Sequence, residues 1–310
     1  MSGPVTANDI ESDTGHDDAS PPCVEVIEGR VTEVGSLPVS RVLPRRPRRT
    51  VGAWCFADHF GPIEVDVAAM NVGPHPHIGL QTVTWIIDGE VLHRDSLGSE
   101  QLIVPGQLNL MSAGRGVSHS EETPTDASGE THGIQLWVAQ PDSTRFGDPA
   151  FDHHGSLPQA ELDGGGRATV LMGSFAGATS PARTDSSIVG ADLVFESAIA
   201  APLDPRFEHG LIVVEGSVTI DRREAMAGSL AYLGQGRDEL DLITDDHARV
   251  LLIGGEPLED DLAMWWNFVG RSRDELDEAY QDWQAGSDRF GRVDSPLDRI
   301  PAPTPHWHTS

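Results

Sequence analysis

Pro74-His75-Pro76-His77 and, further along, His119-Ser120-Glu121 are the stretches on which the reading of this chain turns. Each spaces two ligand-type side chains at i and i+2. On a β-strand such positions share one face and lie about 7 Å apart along the strand, so both can lean toward one ion. Together they offer three imidazoles and one carboxylate, a mixed nitrogen and oxygen set suited to Fe(II), Mn, Ni, Cu or Zn. Four protein ligands on an octahedral ion leave two positions open, enough for a bidentate organic molecule, or for a substrate beside dioxygen. The pattern predicts a metal-dependent enzyme of the cytosol.

With 13 His in 310 residues, roughly half an accidental His-x-His is expected, so the spacing needs its surroundings. A second copy, His306 and His308, lies in a Pro-rich chain end and reads as a tail. The first pair instead precedes Gln81-Thr-Val-Thr-Trp-Ile-Ile-Asp-Gly89, a β-rich run closed by an Asp-Gly turn signal. His119 follows a strand-like run ending at Met111 and the glycine-rich bend Ala113-Gly-Arg-Gly-Val117.

The formal charge is −28, with 49 acidic residues against 21 basic ones. Such a field repels phosphate backbones and anionic membrane surfaces, so direct nucleic-acid binding is disfavoured. The single basic run, Arg41 to Arg49, reads as a solvated loop. No apolar stretch approaches the roughly 20 residues of a membrane span, and the polar, acidic start is not expected to act as a secretory signal. Cys23 and Cys55 are expected as reduced thiols, consistent with the cytoplasm.

Gly 33 and Pro 22 punctuate many short strands rather than long helices. Residues 1–22 read as a disordered acidic tail and residues 23–140 as a first β-barrel carrying the metal. Residues 141–167 read as a connector, residues 168–260 as a second barrel without a metal, and residues 261–310 as a helix and tail. Val213-Val-Glu-Gly-Ser-Val-Thr-Ile220 echoes Trp85-Ile-Ile-Asp-Gly-Glu-Val-Leu92, a weak internal duplication. Ser272-Arg-Asp-Glu275 is a capping box. Leu276, Ala279, Tyr280 and Trp283 follow at helical spacing until Gly286, so this helix should dock on a barrel. His209 has no i+2 partner and no downstream His-x-Glu, and reads as structural.

The chain resembles the pirin family of the cupin superfamily. The matching motifs are Asp58-His-Phe-Gly-Pro62, His75-Pro-His77 with Gly79, Thr82-Val-Thr84 and Asp95-Ser-Leu-Gly98. They continue with Pro105-Gly106, Met111 to Gly116, His119-Ser-Glu121 and His132-Gly-Ile-Gln-Leu-Trp-Val138, with weaker matches at Trp265-Trp-Asn-Phe268 and Arg299-Ile-Pro-Ala302. The resemblance implies an all-β bicupin: two tandem cupin-type double-stranded β-barrels, the first binding one metal through His75, His77, His119 and Glu121. It implies Fe(II) as that metal and a quercetin 2,3-dioxygenase-like oxidoreductase. Ile78, Leu80 and Gln81 depart from residues common in the family after the His-x-His, which leaves the substrate open.

On this reading a flavonol coordinates through its 3-hydroxyl, with Glu121 as ligand or general base, and reacts with dioxygen to open the ring with loss of carbon monoxide. His59 and His132 are candidates to orient the ligand imidazoles, Gln81 and Gln135 could reach inward, and His93 reads as a barrel residue. His153 and His154 read as exposed. The expected partners are a small-molecule substrate and dioxygen, acting on a monomer. The alternative is a metal- and redox-responsive regulatory protein that contacts a protein partner without turnover; a structural metal is a third option.

Overall fold

The computed structural model describes residues 23–46, 48–66, 69–259 and 261–308. The expected acidic tail, residues 1–22, lies outside them. The architecture is all-β, two cupin barrels in tandem with one α-helix among the described residues.

In the first barrel a seven-stranded antiparallel sheet runs in the order Ala150–His154, Leu108–Ser112, Leu80–Asp88, Glu130–Ala139, Trp54–Glu64, Leu37–Leu43, Arg30–Val34. A four-stranded sheet is ordered Asn71–His77, Val117–Glu122, Val91–Asp95, Glu100–Ile103. The His-x-His strand is an edge strand, which is why it tolerates Pro74 and Pro76, residues with no N–H to give a ladder. The apolar run from Gly52 continues through Pro62 to Glu64, because Pro62 falls where the register with the strand Glu130–Ala139 shifts.

The second barrel is built on another seven-stranded sheet, ordered Glu25–Glu28, Ser229–Gly234, Glu208–Glu215, Ala248–Gly255, Ile188–Phe195, Arg167–Met172, Gln159–Glu161. Its core joins Val170, Leu193, Leu211 and Leu252 to Val218, Ile220, Leu240 and Leu242 from smaller hairpins. The two large sheets face each other. Val83, Trp85, Ile134 and Leu136 of the first pack with Met172, Ile212, Leu251 and Ile253 of the second. The strand Leu80–Asp88 is buried on both faces over most of its length, with Val83 and Trp85 turned to this junction and Thr82 and Thr84 turned into the first barrel. Trp54, fully buried, donates its Nε1 hydrogen to Val189 O and Gly254 O across the junction.

Three expectations change. Glu25–Glu28, grouped by sequence with the first barrel, pairs with Ser229–Gly234 of the second. The stretch 141–167 is no bare connector: Ala150–His154 completes the first large sheet and Gln159–Glu161 the second, leaving His153 and His154 half-buried. Arg41 is not in a solvated loop. It is 1% exposed and forms a bidentate pair with Asp58, at 2.8 and 2.7 Å. The strand Leu37–Leu43 alternates between faces, and Arg41 falls on the face turned into the barrel.

The internal echo is structural. Gly89 and Gly216 both carry positive φ, 79° and 71°, at the equivalent hairpin turns. The helix, Arg273–Ala285, is capped by Ser272 Oγ, which accepts from Glu275 N, and is stopped by left-handed Gly286. It buries Leu276, Ala279 and Trp283 against Trp265, Phe268 and Phe290, beside the end of the strand that carries His75 and His77. No helix among the described residues is long and apolar enough to cross a membrane.

Candidate metal centre

His75 and His77 stand on the edge strand of the small sheet and His119 on its neighbour, paired directly opposite His75. All three are fully buried, and one nitrogen from each lies within 4.8 Å of the others. Each ring is held from behind. His75 Nδ1 donates to Gly73 O at 2.9 Å and His77 Nδ1 to Asn267 O at 3.1 Å, so in both the lone pair is on Nε2.

The third ring is fixed through a chain of side chains. His93 Nε2 is 3.1 Å from Asp95 Oδ2, and His93 Nδ1 is 3.3 Å from His119 Nδ1. The carboxylate claims the Nε2 hydrogen of His93. Its Nδ1 must then accept, which puts the hydrogen of His119 on Nδ1 and the lone pair on Nε2. Although burial raises Asp95, hydrogen bonds from His93 and Ser99 hold it below the usual carboxylate range.

His77 Nε2 and His119 Nε2 are 3.1 Å apart, and both are acceptors. Two facing lone pairs repel, whereas metal–nitrogen bonds of about 2.1 Å at a right angle place ligand nitrogens about 3 Å apart. Burial pushes His75 down to about 4 and His77 and His119 well below 6.5, the last two helped by neighbouring imidazoles. The rings are therefore neutral, as metal ligands must be. The donor set fits a divalent ion.

Glu121 is 1% exposed and lies opposite Val72 and His93. A register shift separates it from His119, and its carboxylate is not part of the three-nitrogen cluster. Among the described residues no second cluster of this kind occurs. His209, in the second barrel, is buried beside Phe207.

His59 and His132 do not orient the ligands. They meet each other at 2.9 Å, and His132 faces Glu215 of the second barrel at 3.5 Å. Strand alternation turns His59 away from the face that carries Asp58. Gln81 likewise points out of the barrel, donating to Ser112 Oγ at 2.9 Å. Gln135 faces inward, accepting from Thr84 Oγ1 at 2.8 Å. The side chain placed to orient His119 is His93, which by sequence alone reads as a barrel residue. Its signal was present in His93-Arg94-Asp95, another i, i+2 pair. The Asn267 carbonyl had none, because any residue type supplies one.

A double β-barrel with three converging neutral imidazoles in its first half defines a bicupin with a candidate metal centre. The chain belongs to the pirin family. A family model described as Pirin matches residues 36–138 and one described as Pirin C-terminal cupin domain matches residues 189–291. A Pseudomonas aeruginosa protein named "Putative quercetin 2,3-dioxygenase PA1205" is 48% identical, over 91% of this chain and 90% of that protein. A Caulobacter vibrioides "Pirin-like protein" is 35% identical, over 87% and 96%. The crystal structure of quercetin 2,3-dioxygenase from Acinetobacter baumannii superposes with a TM-score of 0.87 at 42% identity, covering 91% of this chain and 95% of that one.

Proposed function

We propose that this protein is a non-haem metal dioxygenase that opens a flavonol-like, metal-chelating substrate, with His75, His77, His119 and Glu121 as ligands and Fe(II) as the metal. One observation carries the reading: the 3.1 Å separation of two lone-pair-bearing Nε2 atoms at His77 and His119. The similarity to proteins named for quercetin 2,3-dioxygenase supports the substrate class.

When bound, the ion would supply a Lewis acid for vicinal substrate oxygens and a coordination site for dioxygen chemistry. The chain's residues do the rest. Asp95 and His93 keep the His119 proton on Nδ1, and the Gly73 and Asn267 carbonyls do the same for His75 and His77. The Glu121 carboxylate takes the proton of the substrate's 3-hydroxyl as it ionises. Burial of the three imidazoles keeps bulk water away from the reacting atoms.

The test compares parent protein and His119→Ala for metal content and for oxygen uptake with quercetin after iron loading. Metal content should fall several-fold in the variant, and uptake should require iron. Undiminished metal in His119→Ala overturns the ligand set; no uptake by the iron-loaded parent overturns the activity.

A further inference from the structure

The inward face of the first barrel's large sheet is layered. Phe151, Met111, Thr82, Trp137 and Phe56 lie side by side across five strands. This row is the one beside the metal centre: the Trp137 ring is 5.2 Å from His77, and Phe151 stacks on His93 at 4.4 Å. Two residues further along each strand, about 7 Å away, the composition changes. His153, Asn109, Thr84, Gln135, Asp58 and Arg41 form an unbroken polar row in direct register. Beyond it Ile86, Phe60 and Val39 close the barrel with apolar groups.

Most of the polar row is internally satisfied. His153 Nδ1 meets Asn109 Oδ1 at 2.8 Å, Thr84 Oγ1 donates to Gln135 Oε1 at 2.8 Å, and Arg41 holds Asp58. Two amide groups are left over. Asn109 Nδ2 and Gln135 Nε2 have no acceptor among the described residues, although Asn109 is 2% and Gln135 1% exposed. Trp137 Nε1, in the adjoining row, is a third buried donor without an acceptor. Native interiors rarely leave one such donor unpaired, because its lost hydration is not recovered. Three donors on one face of one barrel call for a ligand that brings oxygen acceptors.

We propose that Asn109 Nδ2 and Gln135 Nε2 are substrate-orienting donors that receive oxygen atoms at the far end of a planar polyphenol whose near end chelates the metal. The proposal rests on the flavonol reading of the metal centre and narrows it to polyhydroxylated substrates. The order of the layers specifies the ligand: chelating oxygens at the histidines, a flat apolar body along Trp137 and Phe56, and further oxygens over the amides. All three orphaned groups are donors, so the distal substituents must accept.

The test measures binding to metal-loaded protein without oxygen, using quercetin and 3-hydroxyflavone. Both present the same 3-hydroxyl and 4-carbonyl edge, but only quercetin carries distal hydroxyls. The parent should bind quercetin at least about tenfold more tightly, and Asn109→Leu and Gln135→Met should each remove about tenfold from quercetin while leaving 3-hydroxyflavone within about twofold. Equal affinity of the parent for both compounds overturns the proposal, and that comparison needs no variant to fold. Equal weakening of both compounds would make the amides structural. If neither compound binds the parent, the flavonol reading itself fails; if 3-hydroxyflavone binds and quercetin gains nothing, only the donor assignment does.

Discussion

The Nδ1 atoms of His93 and His119 face each other at 3.3 Å, so only one of them carries a hydrogen, and Asp95 on the far side of His93 decides which. The carboxylate thereby sets the tautomer of a candidate metal ligand it does not touch.

Asp95→Asn should break that control while sparing the fold. The asparagine Oδ1 can still accept from Leu97 N and Ser99 N, as Asp95 Oδ1 does. Its NH2 would donate to His93 Nε2, move the His93 hydrogen to Nδ1 and force the His119 hydrogen onto Nε2. Metal affinity should fall by about 10- to 100-fold with an unchanged circular dichroism spectrum. Unchanged affinity in a metal titration would show that the relay does not govern His119.

Glu121→Gln removes the carboxylate but keeps its shape. The three imidazoles should retain most of the metal, while turnover of quercetin drops by about 10²- to 10⁴-fold, the range for loss of a general base. Unchanged kcat in metal-loaded protein would exclude the base role.

Gly79→Ala should damage the site from outside it. Gly79 has φ +67°, and a Cβ there would sit 2.1 Å from Val269 O. Val269 belongs to the hairpin Ala263–Trp265 with Phe268–Gly270, whose turn carries the Asn267 carbonyl that holds His77. Backbone must move, so a loss of about 2–4 kcal/mol in denaturant unfolding is expected, together with weaker metal binding. A stable variant with parental metal affinity would remove the hairpin from the site's support.

Acid should destabilise the protein through histidines remote from the metal. Burial pushes His59 and His209 each from 6.5 down to about 4. Above the ordinary value, folded and unfolded forms are both neutral and contribute nothing. As pH falls from 6.5 toward 4, the unfolded chain takes up protons that the folded one refuses. Stability then drops by about 1.4 kcal/mol per pH unit for each group, and the loss levels off once the folded form protonates. Comparing unfolding midpoints of the parent and a His59→Leu, His209→Leu double variant across this window should show a flatter profile in the variant. Parallel profiles would refute the assignment.

The short-range pattern carried much of the site. Positions i and i+2 on a strand share a face whatever the fold, so this spacing, together with its strand-like surroundings, marked His75, His77 and His119 as candidate neighbours of one ion. The capping box at Ser272 and the stripe through Trp283 were legible for the same reason, since helix geometry is local. Which face turns inward is not local. Asp58 and His59 are adjacent, yet one meets Arg41 inside the barrel and the other meets His132 outside it.

The sequence by itself determined the strand-rich alternation, the echo that marks the doubled barrel and the candidate metal ligands, because these follow from backbone periodicity, side-chain chemistry and the motifs shared with the pirin family. Only the tertiary structure decided what stands behind those side chains. Asn267 is 190 residues from His77, and its carbonyl reaches the imidazole because the hairpin after the second barrel folds back across the first. The unpaired amides of Asn109 and Gln135 became visible in the same way. A hydrogen bond between distant backbone or polar groups leaves no periodic trace in the chain, since its partners are chosen by packing.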